Sequence, residues 1–164
     1  PLHEAIRKGE IPERVIHNDT KINNLLFDEN NRVLAIIDLD TVMPGAIHYD
    51  FGDAIRTGCN MRGESERNQE LIRFNKEVFK AFTKGYIQET GTKLTTIEKK
   101  YLPLAPFYMT YIMAIRFLTD YLIGDIYCII HETDDNLVRA QSQMKYYLEM
   151  KKEKTFISET IGGY

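Results

Sequence analysis

At 164 residues, with 43% hydrophobic and 27% charged positions, the chain has the length and apolar content for one packed core, and residues 1–164 read as a single domain. Its 21 basic and 24 acidic residues leave a formal net charge of −3, which gives no electrostatic case for nucleic acid or an anionic membrane as partner. Cys59 and Cys128 are too few for a disulfide framework. With no signal-peptide pattern or long uninterrupted apolar run, the expectation is two buried free thiols in a reducing cytoplasm, with no membrane span.

The first predicted element is an apolar strand at Val15-Ile16, which runs into His17-Asn18-Asp19-Thr20-Lys21-Ile22-Asn23-Asn24. This is an H-x-D-x-x-x-x-N pattern on a loop. Two short apolar strands follow, Asn24-Leu25-Leu26-Phe27 and Val33-Leu34-Ala35-Ile36-Ile37, joined by the turn-rich Asp28-Glu29-Asn30-Asn31-Arg32 and ending at Asp38. The layout suits phosphoryl transfer. A hydroxyl attacking a phosphoryl group needs a carboxylate to orient it and accept its proton, and Asp19 is placed for that role. A hard divalent cation needs oxygen ligands, and Asn24 and Asp38, at the two ends of the hairpin, supply an amide oxygen and a carboxylate. Asp40, two residues on, either reaches a second metal or faces solvent. Lys21 is placed to touch the γ-phosphate, and His17 reads as a packed, hydrogen-bonded brace of the loop. Single Asp and Asn matches are common in turns, so the weight lies on the combination.

The rest of the chain reads as helices. Residues 64–88 place Leu71, Ile72, Val78, Phe79, Phe82 and Tyr86 near a 3.6-residue period and end near Gly91. Thr95 or Thr96 with Glu98 or Lys99 starts a further segment, bent at Pro103 and Pro106 and running to about Ile123; Arg116, Asp120 and Asp125 interrupt it, so it is a core helix and not a membrane span. Asp134 or Asp135 caps a last amphipathic helix through Leu148, followed by the charged tail Lys151-Lys152-Glu153-Lys154. His48 is read as a loop residue. Arg116 and Asp120, four apart on one helix face, read as an internal ion pair.

His17-Asn18-Asp19 with Asn24, then Ile37-Asp38-Leu39-Asp40 and Tyr49-Asp50-Phe51-Gly52-Asp53-Ala54-Ile55-Arg56, resembles the aminoglycoside phosphotransferase and choline kinase superfamily. The segment Arg116–Tyr127, with Asn136-Leu137-Val138-Arg139-Ala140-Gln141 beyond it, is similar to the N-acetylhexosamine 1-kinase branch. The resemblance implies an α+β, mostly helical fold, the large C-terminal lobe of a protein-kinase-like architecture whose hairpin carries the metal ligands. It implies Mg2+ and ATP, a small-molecule acceptor phosphorylated on a hydroxyl, most specifically an N-acetylated amino sugar at its anomeric position, and no nucleic-acid or membrane partner. It places Arg116 and Tyr127 in the sugar pocket and gives Asp50 the role of buttressing the catalytic loop. Such kinases also use a smaller N-terminal lobe with a phosphate-covering loop and a Lys–Glu pair. Only sixteen residues precede His17, so the expectation is a lobe of a longer protein, with little or no turnover by itself.

Two rival readings differ in class. His17, Asp19, Asp38, Asp40, His48 and Asp50 would suit a binuclear metal-dependent phosphohydrolase, a reading that leaves Asn24 and its spacing without a role. A non-catalytic remnant of a kinase lobe is the other.

Overall fold

A computed structural model describes residues 1–164. Two small antiparallel sheets lie on a helical body. Helix α1 (Leu2–Arg7) leads to β1 (Arg14–Ile16), which pairs with β4 (Met43–Gly45) so that Val15 faces Pro44. Between them, β2 (Leu25–Phe27) and β3 (Val33–Ile36) form a hairpin with an irregularity between Leu26 and Phe27. Its turn is built by Asp28, whose Oδ1 accepts the N–H groups of Asn30 and Arg32 at 2.8 Å each, while Asn31 takes a left-handed φ of 60°. Val33, Leu34 and Ile36 are all more than half exposed on this hairpin.

The body consists of α2 (Ile47–Gly58), α3 (Lys76–Thr90), α4 (Thr96–Tyr101), α5 (Ala105–Leu122), α6 (Asp135–Lys152) and α7 (Lys154–Gly162). Phe51 and Ile55 of α2 are fully buried and join Phe79, Leu102, Tyr146, Met150 and Ile157 in the main core. Helix α5 packs against both α2 and α6. The span 96–122 is long and apolar enough to cross a membrane by composition alone, yet Ala105, Thr110, Ala114, Phe117 and Asp120 within it are buried against protein. Gly52 sits where α2 meets α5: a side-chain carbon there would run into the Ala105 carbonyl and Met109, so the close approach requires glycine.

Several expectations need correction. The helix read over 64–88 begins only at Lys76; the preceding residues form a loop with one 3-10 turn at Gln69–Leu71, pinned by Arg67 to Glu132, Asp134 and Asp135. Asn75 caps α3, accepting the N–H groups of Glu77 and Val78. The charged run after Met150 is not a tail but the junction of α6 with α7, which buries Ile157 and Ile161. Asp134 makes no capping hydrogen bond to α6, because its carboxylate is paired with Arg67. Helix α1 and the β1–β4 pairing went unread. Of the cysteines, Cys59 is buried, and burial pushes its thiol up to about 12; Cys128 is only partly buried.

The capping box at Thr95 is present and does more than start α4. Glu98 is fully buried and accepts from Thr95 N–H and Oγ1 at 2.7 and 2.8 Å, and from Arg14 on β1 through Nε at 2.6 Å and Nη2 at 2.9 Å. Burial would raise its carboxyl pKa, but Arg14 and Thr95 outweigh it and hold it down at about 2. A carboxyl depressed by folding contributes stability that is fully present above its unfolded value near 4.5 and lost as pH falls toward about 2. Glu98→Gln should therefore cost roughly 1–3 kcal/mol at pH 7. Urea unfolding at pH 7, 4 and 3 should show the gap between wild type and variant shrinking over that range; a gap that stays constant would remove Glu98 as its source.

Candidate functional site

The loop after β1 is held from two sides. Asp50, in the first turn of α2, accepts the backbone N–H of His17 at 2.8 Å through Oδ2 and that of Asn18 at 2.7 Å through Oδ1. A carboxylate in the first turn also complements the positive end of the helix. Thr20 Oγ1 donates to the Asp50 carbonyl at 2.6 Å. From the hairpin side, Thr41 Oγ1 donates to the His17 carbonyl at 2.7 Å and His17 Nε2 donates to the Ile37 carbonyl at 3.1 Å. Asn18 adopts a left-handed φ of 65° and so turns the chain immediately before Asp19.

Asp19, Lys21, Asn24 and Asp38 come together. Lys21 Nζ lies 2.8 Å from Asp19 Oδ2 and 4.0 Å from Asp38 Oδ2. The hydrogen bond from Lys21 to Asp19 raises the lysine pKa against the opposing effect of burial, so the ammonium is retained. Asn24 is buried at the end of a 3-10 turn, Ile22–Asn24, and its Nδ2 donates to the Asp19 carbonyl at 2.9 Å and to Asp19 Oδ2 at 3.0 Å. With the amide nitrogen so committed, Oδ1 is the atom left to meet a cation. Asp38 has a left-handed φ of 62° and directly follows the hairpin. Asp19 and Asp38 share the Lys21 ammonium, and with the Asn24 amide oxygen on the same loop they are hard oxygen donors of the type that magnesium takes. Asp40 lies on the next turn, exposed and without an ion pair.

Beneath this cluster runs a chain of charge that the sequence reading did not identify. Buried Arg56 donates through Nε to Asp53 at 2.7 Å, through Nη1 to Glu64, and through Nη1 to Gln143 at 3.3 Å. Burial raises the Asp53 carboxyl pKa despite Arg56. An arginine beside Phe51 and Ile55 on the core face of α2, three residues after an aspartate, was the available signal. Glu64 in turn lines a polar cavity of about 550 Å3 together with Lys21, Asn23, Thr57, Asn60 and Ser65.

Arg116 and Tyr127 also meet, but elsewhere. The guanidinium lies 5.6 Å from the Tyr127 ring centroid, and both line a separate cavity of about 430 Å3 at the end of α5 with Met113, Ile115 and Phe117. The expected Arg116–Asp120 ion pair does not form: Arg116 points out, and buried Asp120 accepts the N–H groups of Tyr127 at 2.9 Å and Cys128 at 2.8 Å and the Asn136 amide at 2.9 Å. His48 is a fully buried residue of α2 and not part of a loop; its Nε2 donates to the Glu98 carbonyl at 2.9 Å, and burial lowers its pKa. With His17 and His48 on backbone carbonyls and Asp50 on backbone amides, the acidic and imidazole groups do not gather into a metal cluster of three or more.

A comparison with protein families completes the site. The model of the phosphotransferase enzyme family, APH, matches residues 2–83, half of the 164-residue chain, and this stretch contains the whole cluster from His17 to Arg56.

If Asp50 holds the loop, removing its carboxylate frees two amides at once. Asp50→Ala should accelerate hydrogen exchange at His17 and Asn18 by at least tenfold relative to core amides of α6, the scale of one charge-assisted hydrogen bond of about 1.5–3 kcal/mol. Unchanged protection at both amides would contradict the assignment.

Proposed function

The chain belongs to the phosphotransferase enzyme family, and from that premise we propose that it carries the catalytic and metal-binding half of an ATP-dependent small-molecule kinase. The observation that supports the reading is that Lys21 Nζ lies 2.8 Å from Asp19 and 4.0 Å from Asp38 while Asn24 Nδ2 donates to Asp19 at 3.0 Å. Asp19 orients the acceptor hydroxyl and takes its proton. Asn24 and Asp38 would hold magnesium, with Asp40 as a further ligand, and magnesium when bound neutralises charge on the nucleotide phosphates. Lys21 then turns from Asp19 toward the transferring phosphoryl group. Positioning and charge neutralisation supply most of the rate.

The acceptor of this proposal is an N-acetylated amino sugar phosphorylated at the anomeric hydroxyl, with Arg116 and Tyr127 binding its ring hydroxyls or N-acetyl group. What supports it is their approach within one cavity and their resemblance to that kinase branch. The same reading makes residues 1–164 a C-terminal lobe whose partner lobe grips the α- and β-phosphates. The outward apolar side chains of the hairpin and of Leu39 are the surface such a lobe would cover.

Three measurements test the proposal. In the two-lobed protein, Asp19→Asn should lower kcat by roughly 10^2–10^4 while nucleotide affinity changes little; a variant with wild-type kcat would refute the base assignment. Asp38→Ala should weaken magnesium-ATP tenfold or more, about 1.4 kcal/mol, and so reduce the thermal shift that the nucleotide produces. The isolated chain should show sugar-dependent ADP release far below the ~1–100 s⁻¹ of kinases.

A further inference from the structure

We infer that Asp120 is the positioning residue of the Arg116–Tyr127 cavity: its carboxylate fixes the backbone of Tyr127 and so sets where the tyrosine ring meets Arg116. The inference rests on the proposed acceptor site and carries it one layer inward, to the group that locates the ring.

The segment that bears Tyr127 has little structure of its own. After α5 the chain reverses through Gly124 and Asp125, with left-handed φ values of 97° and 57°, and the Asp125 N–H returns to the Asp120 carbonyl at 2.8 Å. From Ile126 to His131 the chain makes no backbone–backbone hydrogen bond. Burial does not fix it either, because Ile126, Tyr127 and Ile129 are 76%, 77% and 81% exposed. A ring so exposed is not located by packing. Its place is inherited from its backbone.

That backbone is held by side chains, and Asp120 is the central one. Its Oδ1 accepts the Tyr127 N–H at 2.9 Å and its Oδ2 accepts the Cys128 N–H at 2.8 Å. Fully buried Asn136 donates through Nδ2 to Asp120 Oδ2 at 2.9 Å and to Asp125 Oδ1 at 2.8 Å, which ties the reversal to α6. Arg139 Nη1 closes the network, donating to Asn136 Oδ1 at 3.1 Å and to the Ile129 carbonyl at 3.2 Å. The N–H donors, that of Cys128 foremost, hold the Asp120 carboxyl below its ordinary pKa and so keep it charged.

Helix α5 itself has no need of this carboxylate. Asp120 lies in its last turn, where the helix dipole favours a cation. Arg116 stands one turn earlier but turns to Met113 Sδ at 3.7 Å. A buried carboxylate away from a cation is costly unless N–H groups replace its water, and the loop supplies them. Arg116 and Asp120 are the charged groups that line the cavity. With the Asp120 oxygens committed to N–H groups, the guanidinium is the charge left to meet a ligand. A ring held in place before the acceptor arrives leaves less ordering to be done on binding. Asp50 grips the amides of His17 and Asn18 in the same way, so one device sets both the catalytic loop and the acceptor cavity.

The test measures phosphoryl transfer from ATP to N-acetylglucosamine by the two-lobed protein. Asp120→Asn keeps the side-chain volume but sets an NH2 group against groups that already donate. It should raise the acceptor KM roughly tenfold or more, with the ATP KM held within about twofold and kcat changed less than about threefold. Tyr127→Ala should also raise the acceptor KM, and adding Asp120→Asn to it should raise KM by less than about twofold further, because a residue that acts through the ring then has nothing left to position. Should Asp120→Asn fail to fold, Arg139→Gln, at the partly exposed edge of the network, should raise the acceptor KM severalfold beside an intact Tyr127 and leave it unmoved in Tyr127→Ala. An unmoved acceptor KM, equal losses toward acceptor and ATP, or effects that multiply in the double variant would overturn the role of Asp120 and leave the kinase and acceptor readings standing. A wild type that transfers no phosphate to N-acetylglucosamine, or transfer indifferent to Tyr127→Ala, would instead remove the acceptor reading, and this role with it.

Discussion

On its helical side, the loop that carries Asp19 takes its position from one carboxylate. Asp50 replaces water for two successive loop amides, and each charge-assisted hydrogen bond of this kind contributes about 1.5–3 kcal/mol. Its own position is inherited from the core: Phe51 and Ile55, one and five residues later, are fully buried, and Gly52 lets the same helix lie directly against α5. The orientation of Asp19 is thus a by-product of how α2 packs, transmitted through a side chain that never touches a substrate in the proposed reaction.

The site concentrates negative charge and manages it at two depths. Near the surface, Lys21 sits between Asp19 and Asp38 in a partly solvated setting where it can exchange partners. In the interior, almost unexposed Arg56 joins buried Asp53 and Gln143 and partly exposed Glu64. A buried ion pair of this sort adds little net stability over an apolar replacement, because desolvation offsets the attraction, but removing one partner is severe. Its contribution is geometric: it sets where Glu64 stands. The partly exposed cation stands at the proposed reaction site, and the buried one behind the cavity wall.

Local patterns made part of this legible. The hairpin followed from two apolar runs around Asp28–Arg32, and the start of α4 from Thr95 and Glu98, because turns and caps are made by residues close in sequence. The errors arose where distant contacts decide. Leu71 and Ile72 continued a helical period backward from α3, but Arg67 draws that stretch to Asp134 and Asp135, more than sixty residues away. Arg116 and Asp120 have ideal spacing for a pair, yet Asp120 is taken by the chain reversal at Tyr127 and Cys128. His48 looked like a loop residue because nothing nearby announces the Glu98 carbonyl that satisfies it. Glu64 was hidden in the misread helix, so the cavity wall it forms came from tertiary structure alone.

The left-handed backbone at Asp38 carries a further consequence. For most residues with a side chain this conformation costs about 1–2 kcal/mol; aspartate tolerates it better than most, and glycine adopts it freely. On backbone grounds alone, glycine would be the more stable occupant of position 38. A protein selected only for thermal endurance would drift toward it and lose the carboxylate. The fold is therefore less stable than its own backbone allows at this position, and the deficit measures what retaining a charged group at the end of the hairpin costs.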